Sequence, residues 1–259
     1  MSDRVTIAVE DQIAQVRFNR PDKMNALDPE QFRAIGGAID ALAERPDVRC
    51  VVLAGEGRAF CAGLDMASMA AGGSGTGAER NAAGAILPQH VTWGWRQLPM
   101  PVIVAAHGVA FGGGFQIMSG ADVRIAAPGT RFAIRESYWG LVPDMAGFPI
   151  WRGLVRDDVL RELVYTAREF GAEEALAWGF VTRLAEDPVA EATALAREIV
   201  SRNPHAVRGA KRLLNAAHDT PARNLLELET HEQVQLIGKP NMMEAVAAHM
   251  GKRTPVFAD

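Results

Sequence analysis

The sequence predicts an α/β fold in which a mixed core is followed by a region of helices alone. Two observations support this. Short apolar runs alternate with stretches of helical periodicity along the first part of the chain, and the strand signals fade after about residue 155. We therefore expect an α/β core over residues 1–195. Residues 196–259 should form a helical oligomerisation region that is amphipathic and needs a partner subunit to cover it.

The first elements are two strands and a helix. Residues 5–9 and 13–18 alternate apolar and polar side chains, which predicts two half-buried strands joined by a hairpin. Asp28 is placed to cap a helix, Pro29 stands at its first position, and Gln31 completes the pattern of a capping box. This helix should carry its apolar side chains on one face.

The middle of the chain repeats strand, helix and strand. Residues 48–53 and 102–106 are short apolar runs of the kind that form buried parallel strands. An apolar helix is expected over residues 113–119 and a further strand over residues 123–126, with right-handed crossovers. Helical stretches then follow near residues 157–167, 172–178, 189–202, 204–217, 221–236 and 241–250.

Composition excludes several classes of protein. The formal net charge of -4 gives no basic face for nucleic acid, and no apolar run reaches the roughly 18 residues of a membrane span. Two cysteines cannot build a disulfide framework, and the first residues lack the pattern of a signal peptide. The six histidines are scattered without ligand spacing. We expect a soluble cytoplasmic protein without a metal site, a nucleic-acid partner or a membrane partner.

Two glycine-containing segments carry the strongest functional signal. Residues 58–65 follow one predicted strand, and residues 107–116 follow another, where ligand sites of α/β proteins gather. The triple glycine 112–114 at a helix start leaves N–H groups free to meet an anion. A tight strand-to-helix turn is the alternative reading of the glycines alone. The glycine-rich residues 71–77 predict a flexible loop, either a spacer or a lid over a site.

These segments resemble the signature regions of the crotonase superfamily, also called the enoyl-CoA hydratase/isomerase family. Further ordered matches lie in residues 19–27, 101–108, 171–181 and 252–257, so the resemblance covers nearly the whole chain. It implies a β-β-α spiral core, a helical trimerisation region, and a homotrimer or dimer of trimers. It also implies an acyl-CoA substrate, with coenzyme A as part of that substrate and no separate cofactor.

The resemblance also implies roles for particular residues. The backbone N–H groups of Leu64 and Gly113 would form an oxyanion hole for the thioester oxygen. Residues that would contact coenzyme A are Lys23, Met24, Ala62, Asp65 and Phe257.

The acid–base residues decide the reaction. Hydratases of the family use two glutamates, but this chain has Gln116 at the first position and Glu136 at the second, and glutamine cannot exchange a proton. Asp144, eight residues after Glu136, resembles the second acid of dienoyl-CoA isomerases. The leading hypothesis is therefore double-bond isomerisation by Glu136 with help from Asp144. The alternative is hydration, with Glu136 and Gln116 holding the water.

Simpler roles for these three side chains stay open. Glu136 could cap a helix or pair with a neighbouring arginine, Asp144 could be a turn residue, and Gln116 could bond only to backbone. A third hypothesis is a non-catalytic relative that binds acyl-CoA or RNA.

Overall fold

The computed structural model describes residues 3–70 and 79–259, and it confirms an α/β core followed by helices. Its strands are β1 (Val5–Glu10), β2 (Ile13–Phe18), β3 (Cys50–Gly55), β4 (Val102–Ala106), β5 (Val109–Phe111), β6 (Val123–Ala126), β7 (Arg131–Ala133), β8 (Phe170–Gly171) and β9 (Arg183–Leu184). Its helices are α1 (Pro29–Ala43), α2 (Met66–Ala70), α3 (Leu87–Gln97), α4 (Gly113–Ser119), α5 (Gly147–Trp151), α6 (Asp157–Thr166), α7 (Ala172–Trp178), α8 (Pro188–Val200), α9 (Pro204–Ala216), α10 (Ala222–Val234) and α11 (Pro240–Met250). The predicted loop at 71–77 lies outside the described residues.

The strands form two sheets that the chain visits in turn. The larger sheet has the order β1-β2-β3-β4-β6-β9, and the smaller has the order β5-β7-β8. In the larger sheet only the β1–β2 pair is antiparallel. β4 is followed by β5, and β6 by β7, so each turn of the chain adds a strand to both sheets. This arrangement is the expected β-β-α spiral.

The larger sheet is buried on both faces at its centre. Every residue of β3 and β4 is buried, which explains why these strands read as continuous apolar runs. One face packs against α1, α3 and α4. The other face packs against α8 through Ala192 and Ala196, which are both fully buried.

The start of α1 differs from the prediction in one detail. The Asp28 side chain accepts a hydrogen bond from the Gln31 backbone N–H at 2.7 Å, as an N-cap should. The reciprocal half of the capping box is absent, because Gln31 Oε1, which would accept from the Asp28 N–H, has no hydrogen-bond partner among the described residues, while Nε2 donates to the Arg4 carbonyl. The prediction of a capping box at Gln31 was therefore wrong, since that side chain ties α1 to the residue before β1.

The C-terminal helices are more exposed than the core. Residue 195, the predicted end of the core, lies inside α8, and the division of the chain into two regions stays a prediction. α10 contains no buried residue, and α11 buries only Asn241 and Ala248. Exposed apolar side chains of this region are Leu226, Leu228, Val234, Ile237, Met242, Met243, Val246 and Met250. Across residues 3–70 and 79–259, none of the helices has the length and hydrophobicity that crossing a bilayer requires.

Candidate active site

Backbone hydrogen bonds bring the two glycine-containing segments together beyond the ends of β3 and β4. Cys61 donates to the Val109 carbonyl at 3.1 Å and accepts from the Phe111 N–H at 3.0 Å, which makes a parallel bridge to β5. The segment after β3 therefore lies alongside the segment that enters α4. This confirms that the two segments share one end of the sheet.

Two of the glycines are required by the closeness of these segments. Gly63 has φ +91°, and a Cβ on it would stand 2.7 Å from the Phe111 carbonyl oxygen. A Cβ on Gly114 would stand 2.5 Å from the Cys61 carbonyl oxygen. Any side chain at either position would push the two segments apart.

Each segment presents one backbone amide at the gap between them. Gly113 is the first residue of α4, so its N–H has no acceptor within the helix. Leu64 forms a parallel bridge with Leu27, in which Leu27 donates to Gly63 and accepts from Asp65. In such a bridge the N–H of Leu64 itself points away from Leu27. The two predicted oxyanion donors therefore border one space.

That space is a cavity of ≈ 550 Å³. It contains most of the residues that the sequence singled out: Lys23, Met24, Ala62, Leu64, Asp65, Gly113 and Glu136. Sequence reasoning gave no role to Phe111, Arg135 and Leu141, which also line it. Two of them lie within five residues of Glu136, and this closeness in the chain was the signal that could have found them.

Glu136 is buried in this cavity with only one carboxylate oxygen bonded. Its side chain is 7% exposed, and Oε1 accepts a hydrogen bond from Gln116 Nε2 at 2.6 Å. Oε2 is buried and has no hydrogen-bond partner among the described residues. Burial raises the pKa of Glu136, the bond from Gln116 opposes that rise, and the charge of Asp144 adds to it.

A role for Glu136 as the ion-pair partner of a neighbouring arginine does not fit this geometry. Arg131 pairs with Glu169 at 2.9 Å, and the Arg135 guanidinium lies over the rings of Phe111 and Tyr138. Neither arginine forms an ion pair with Glu136 in the described chain. The carboxylate is held by an uncharged amide and is left free to gain or lose a proton.

Gln116 uses both ends of its amide. Its Oε1 accepts from the backbone N–H groups of Met145 at 3.0 Å and Gly147 at 3.1 Å, while Nε2 donates to Glu136. The side chain is fully buried and does not line the ≈ 550 Å³ cavity. Gln116 thus joins the loop before α5 to the carboxylate in the cavity.

Asp144 lies outside that cavity. It is exposed, and it lines a second cavity of ≈ 290 Å³ together with Gln89, Trp93 and Phe148. Partial burial raises the pKa of Asp144, and its charge acts on Glu136. The structure therefore relates the two carboxylates electrostatically but assigns them to different spaces.

Two predicted coenzyme A contacts differ from the rest: Asp65 lines the cavity with its carboxylate already bonded, and Phe257 lies elsewhere. The Asp65 carboxylate accepts from Arg20 at 2.7 Å and from the Ala67 and Ser68 N–H groups at the start of α2. The Phe257 carbonyl accepts from Arg49 at 2.9 Å, just before β3 begins. The cavity lies beyond the other end of β3, so the structure does not bring Phe257 to the cavity of its own chain.

The remaining reactive side chains are not arranged for other chemistry. Across the described ranges 3–70 and 79–259, no group of three or more histidine, cysteine, aspartate or glutamate side chains could hold a metal ion. Both cysteines are free and buried, and burial raises the pKa of each thiol to about 12.

The spiral of two sheets and the cavity between its two glycine-containing segments are those of a crotonase-type enzyme, and comparison with known proteins agrees. The family model described as enoyl-CoA hydratase/isomerase matches residues 8–259. The chain belongs to this family, within the crotonase superfamily, and is an enzyme of it. Membership implies an acyl-CoA substrate.

Several curated relatives cover almost the whole chain. Enoyl-CoA hydratase EchA19 of Mycobacterium tuberculosis is 31% identical over 93% of this chain and 91% of its own length. Carnitinyl-CoA dehydratase of Salmonella typhi is 30% identical over 99% of both chains. The 1,2-epoxyphenylacetyl-CoA isomerase of Escherichia coli K12 is 27% identical over 99% of both chains. These relatives carry out different reactions, so they do not determine the reaction of this chain.

Solved structures match the fold closely. The enoyl-CoA hydratase of Bacillus anthracis superimposes with a TM-score of 0.89 at 27% identity, covering 98% of each chain. That of Polaromonas sp. JS666 superimposes with a TM-score of 0.87 at 29% identity, covering 98% of this chain and 99% of that chain.

Proposed function

We propose that this enzyme moves the double bond of an unsaturated acyl-CoA, with Glu136 carrying the proton from one carbon to another. One observation carries the proposal. Among the described lining residues of the ≈ 550 Å³ cavity, Glu136 is the carboxylate with a free oxygen, because Asp65 is bonded to Arg20 and to α2. A single carboxylate of this kind can remove a proton and return it.

In the proposed reaction the thioester oxygen is bound between the N–H groups of Leu64 and Gly113. Glu136 Oε2 removes a proton from the carbon next to the carbonyl, and the electron pair moves onto the oxygen to form an enolate. The two N–H groups stabilise that charge, and one such donor typically contributes ~3 kcal/mol. The protonated Glu136 then returns the proton at the far end of the allylic system, which leaves the double bond shifted.

Gln116 acts in this scheme as a positioning residue. Its carbonyl oxygen already accepts two backbone N–H groups and its amide already donates to Glu136. It cannot supply a proton, and little of its bonding capacity is left to hold a water. These bonds argue against hydration by Glu136 and Gln116 as a pair.

Hydration stays the alternative, because the relatives include an enoyl-CoA hydratase and a carnitinyl-CoA dehydratase. A hydratase would need a second proton donor, and Asp144, whose pKa burial raises, is the nearest candidate by its charge effect on Glu136. In the isomerase scheme Asp144 instead assists by its negative charge, which keeps the Glu136 pKa high.

Binding of coenzyme A would use Lys23, Met24, Ala62 and the backbone at Asp65 along the cavity rim. Phe257 would serve from a neighbouring subunit, since it lies at the other end of its own sheet. The exposed apolar side chains of α10 and α11 support self-association as a homotrimer or dimer of trimers. Sedimentation equilibrium of the whole chain would measure the oligomeric state, and a monomer would contradict this part.

An absorbance screen tests the reaction. Purified protein is mixed separately with 3-enoyl-, trans-2-enoyl- and dienoyl-CoA, and the conjugated band is followed. Isomerisation predicts that the band appears from 3-enoyl-CoA, and that Glu136→Gln abolishes this. Rapid loss of the band from trans-2-enoyl-CoA, without activity on 3-enoyl-CoA, would establish the hydratase instead. The non-catalytic hypothesis requires that none of the three substrates changes.

A further inference from the structure

One buried side chain, Met145, contacts the lining of one cavity and belongs to the loop that lines a second. Gly113 lines the ≈ 550 Å³ cavity, while Asp144 and Ala146 line the ≈ 290 Å³ cavity. In the chain Met145 stands between Asp144 and Ala146, and among the described residues it is not in the lining of either cavity. It is 3% exposed, and its side chain packs with Leu27 against Gly113.

The tip of Met145 rests on the oxyanion glycine. Its Sδ and Cε lie 2.8 Å and 3.3 Å from the point where a Cβ on Gly113 would stand. The Met145 N–H is fixed by Gln116 at 3.0 Å, so the start of this side chain is held. The thioether therefore lies directly behind the amide that would bind the thioester oxygen.

The second cavity is open, and its walls are both apolar and polar, the polar side chains being Gln89 and Asp144. Trp93, Phe148 and Pro149 give it apolar surface, and it opens beside Asp144. Met145 lies between Gly113, which would bind the thioester oxygen, and the residues Asp144 and Ala146 that line this cavity.

We infer that Met145 is a specificity-determining residue, which divides one acyl-binding space into two and restricts the enzyme to short-chain acyl-CoA substrates. The inference rests on the proposed function, because it assumes that the thioester is bound at the two amides. Methionine is unbranched and has three rotatable bonds, so its replacement by alanine opens the partition without disturbing the backbone bond to Gln116.

The test measures binding apart from chemistry. The dissociation constants of saturated butyryl-, hexanoyl-, octanoyl- and decanoyl-CoA are determined by calorimetry for the wild type, Met145→Ala and Met145→Val. Burying a methylene strengthens binding by about fourfold. Each step of the series adds two methylenes, so a fully buried step should strengthen binding by about fifteenfold. The wild type should show such a gain only between the shortest chains. Met145→Ala should show it through octanoyl-CoA, and Met145→Val should shift in the same direction by less.

Two controls separate the partition from general loosening of the core. Met145→Leu conserves the volume and should keep the chain-length preference of the wild type. Met100→Ala makes the same change at a fully buried methionine before β4, at the other end of the sheet, and should lower stability without changing the preference. An unchanged preference in both Met145→Ala and Met145→Val overturns the inference, as does a wild type that already binds decanoyl-CoA far more tightly than butyryl-CoA.

The same series keeps the two proposals distinguishable. Saturated acyl-CoA esters are not turned over, so their binding reports on the partition whether or not the enzyme isomerises 3-enoyl-CoA. Absence of isomerisation with a shifted preference in Met145→Ala would defeat the proposed reaction alone. Isomerisation with an unshifted preference would defeat the partition alone.

Discussion

Each end of the larger sheet has a buried ionisable side chain, and the two side chains differ in how fully they are hydrogen-bonded. At the end where β4 begins, Lys211 is 5% exposed and its ammonium donates to the Asp122 carboxylate, the Met100 carbonyl and the Trp95 carbonyl. At the end where β4 leads into β5 and α4, Glu136 is 7% exposed and only one of its oxygens is bonded.

Buried polar groups in folded proteins almost always find partners, because an unbonded one costs ~1–3 kcal/mol or more if it is charged. Lys211 obeys that rule and joins α9 to the core. Glu136 departs from it at a cavity wall. The difference indicates that Lys211 serves the fold, whereas one oxygen of Glu136 is left without a partner by the residues that the structure describes.

The largest effect is expected from Glu136→Gln. Glutamine keeps the shape and can still bond to Gln116, but it cannot take up a proton, so the turnover number should fall by ~10³-fold. The unfolding free energy should stay equal or rise, because an uncharged amide is cheaper to bury than a carboxylate. Steady-state kinetics and urea unfolding measure the two quantities. Turnover equal to that of the wild type would remove Glu136 from the mechanism.

The raised pKa of Glu136 makes a related prediction about pH. The carboxylate must be ionised to remove a proton, so kcat/KM of the wild type should fall as the pH drops through that raised pKa. The folded state holds this proton more tightly than the unfolded state. Its stabilising contribution is therefore complete below the unfolded pKa, near 4.5, and is lost as the pH rises through the folded value. Glu136→Gln should abolish this stability change, which urea unfolding across the pH range would detect.

Lys211→Met should show the opposite pattern. Removing the ammonium leaves the partly buried Asp122 carboxylate without its cation, although the Val102 N–H still donates to it, and takes one donor from each of two buried carbonyls. Such changes typically cost about 3 kcal/mol. Turnover of the folded protein at low temperature should be close to that of the wild type, because Lys211 lies at the far end of the sheet. A fall in turnover larger than the fall in folded fraction would contradict the contrast between the two ends.

The sequence predicts the end of the sheet that carries Glu136 better than the end that carries Lys211. β3 and β4 read clearly because continuous apolar runs are buried on both faces. The resemblance matched Gln116 and Glu136 to the acid–base positions of the family, but the hydrogen bond between the two side chains was not predicted. Lys211 gave no signal, because a lysine on a helix is normally at the surface and only the tertiary contacts bury it.

Short strands and the geometry of the loop before α5 also could not be predicted from the sequence. β8 and β9 have two residues each and exist because neighbouring strands pair with them. The two bonds from the loop to Gln116 depend on a turn in which Ala146 has φ +65°, a conformation that alanine rarely adopts. No pattern of residue types indicates such a turn, so the position of Met145 could not be foreseen.

Gln116→Met should have an intermediate effect on catalysis by Glu136. The substitution conserves shape but removes the bond that opposes the rise in the Glu136 pKa, so that pKa should rise further. The acid limb of the kcat/KM profile should move to higher pH. Stability should fall by ~1–3 kcal/mol, because two backbone N–H groups lose their acceptor.

Ser119→Ala is the matched control for Gln116→Met. Ser119 is also buried on α4, and its hydroxyl accepts from the Trp151 indole at 2.9 Å, away from Glu136. This variant should lose stability without moving the pH profile. If both variants leave the profile in place, Gln116 does not position Glu136 and is only a core residue.

The smallest effect is expected from Asp144→Asn. This variant compares the two carboxylates at the same end of the sheet, Asp144 and Glu136. Asp144 lines the ≈ 290 Å³ cavity and raises the Glu136 pKa by its charge. Removing that charge should lower the Glu136 pKa, move the acid limb of kcat/KM to lower pH, and change the maximal rate by less than about tenfold. A loss as large as that of Glu136→Gln would mean that Asp144 exchanges a proton with the substrate. The reaction would then need two carboxylates, and hydration or dienoyl-CoA isomerisation would explain the site better than a single-carboxylate shuttle.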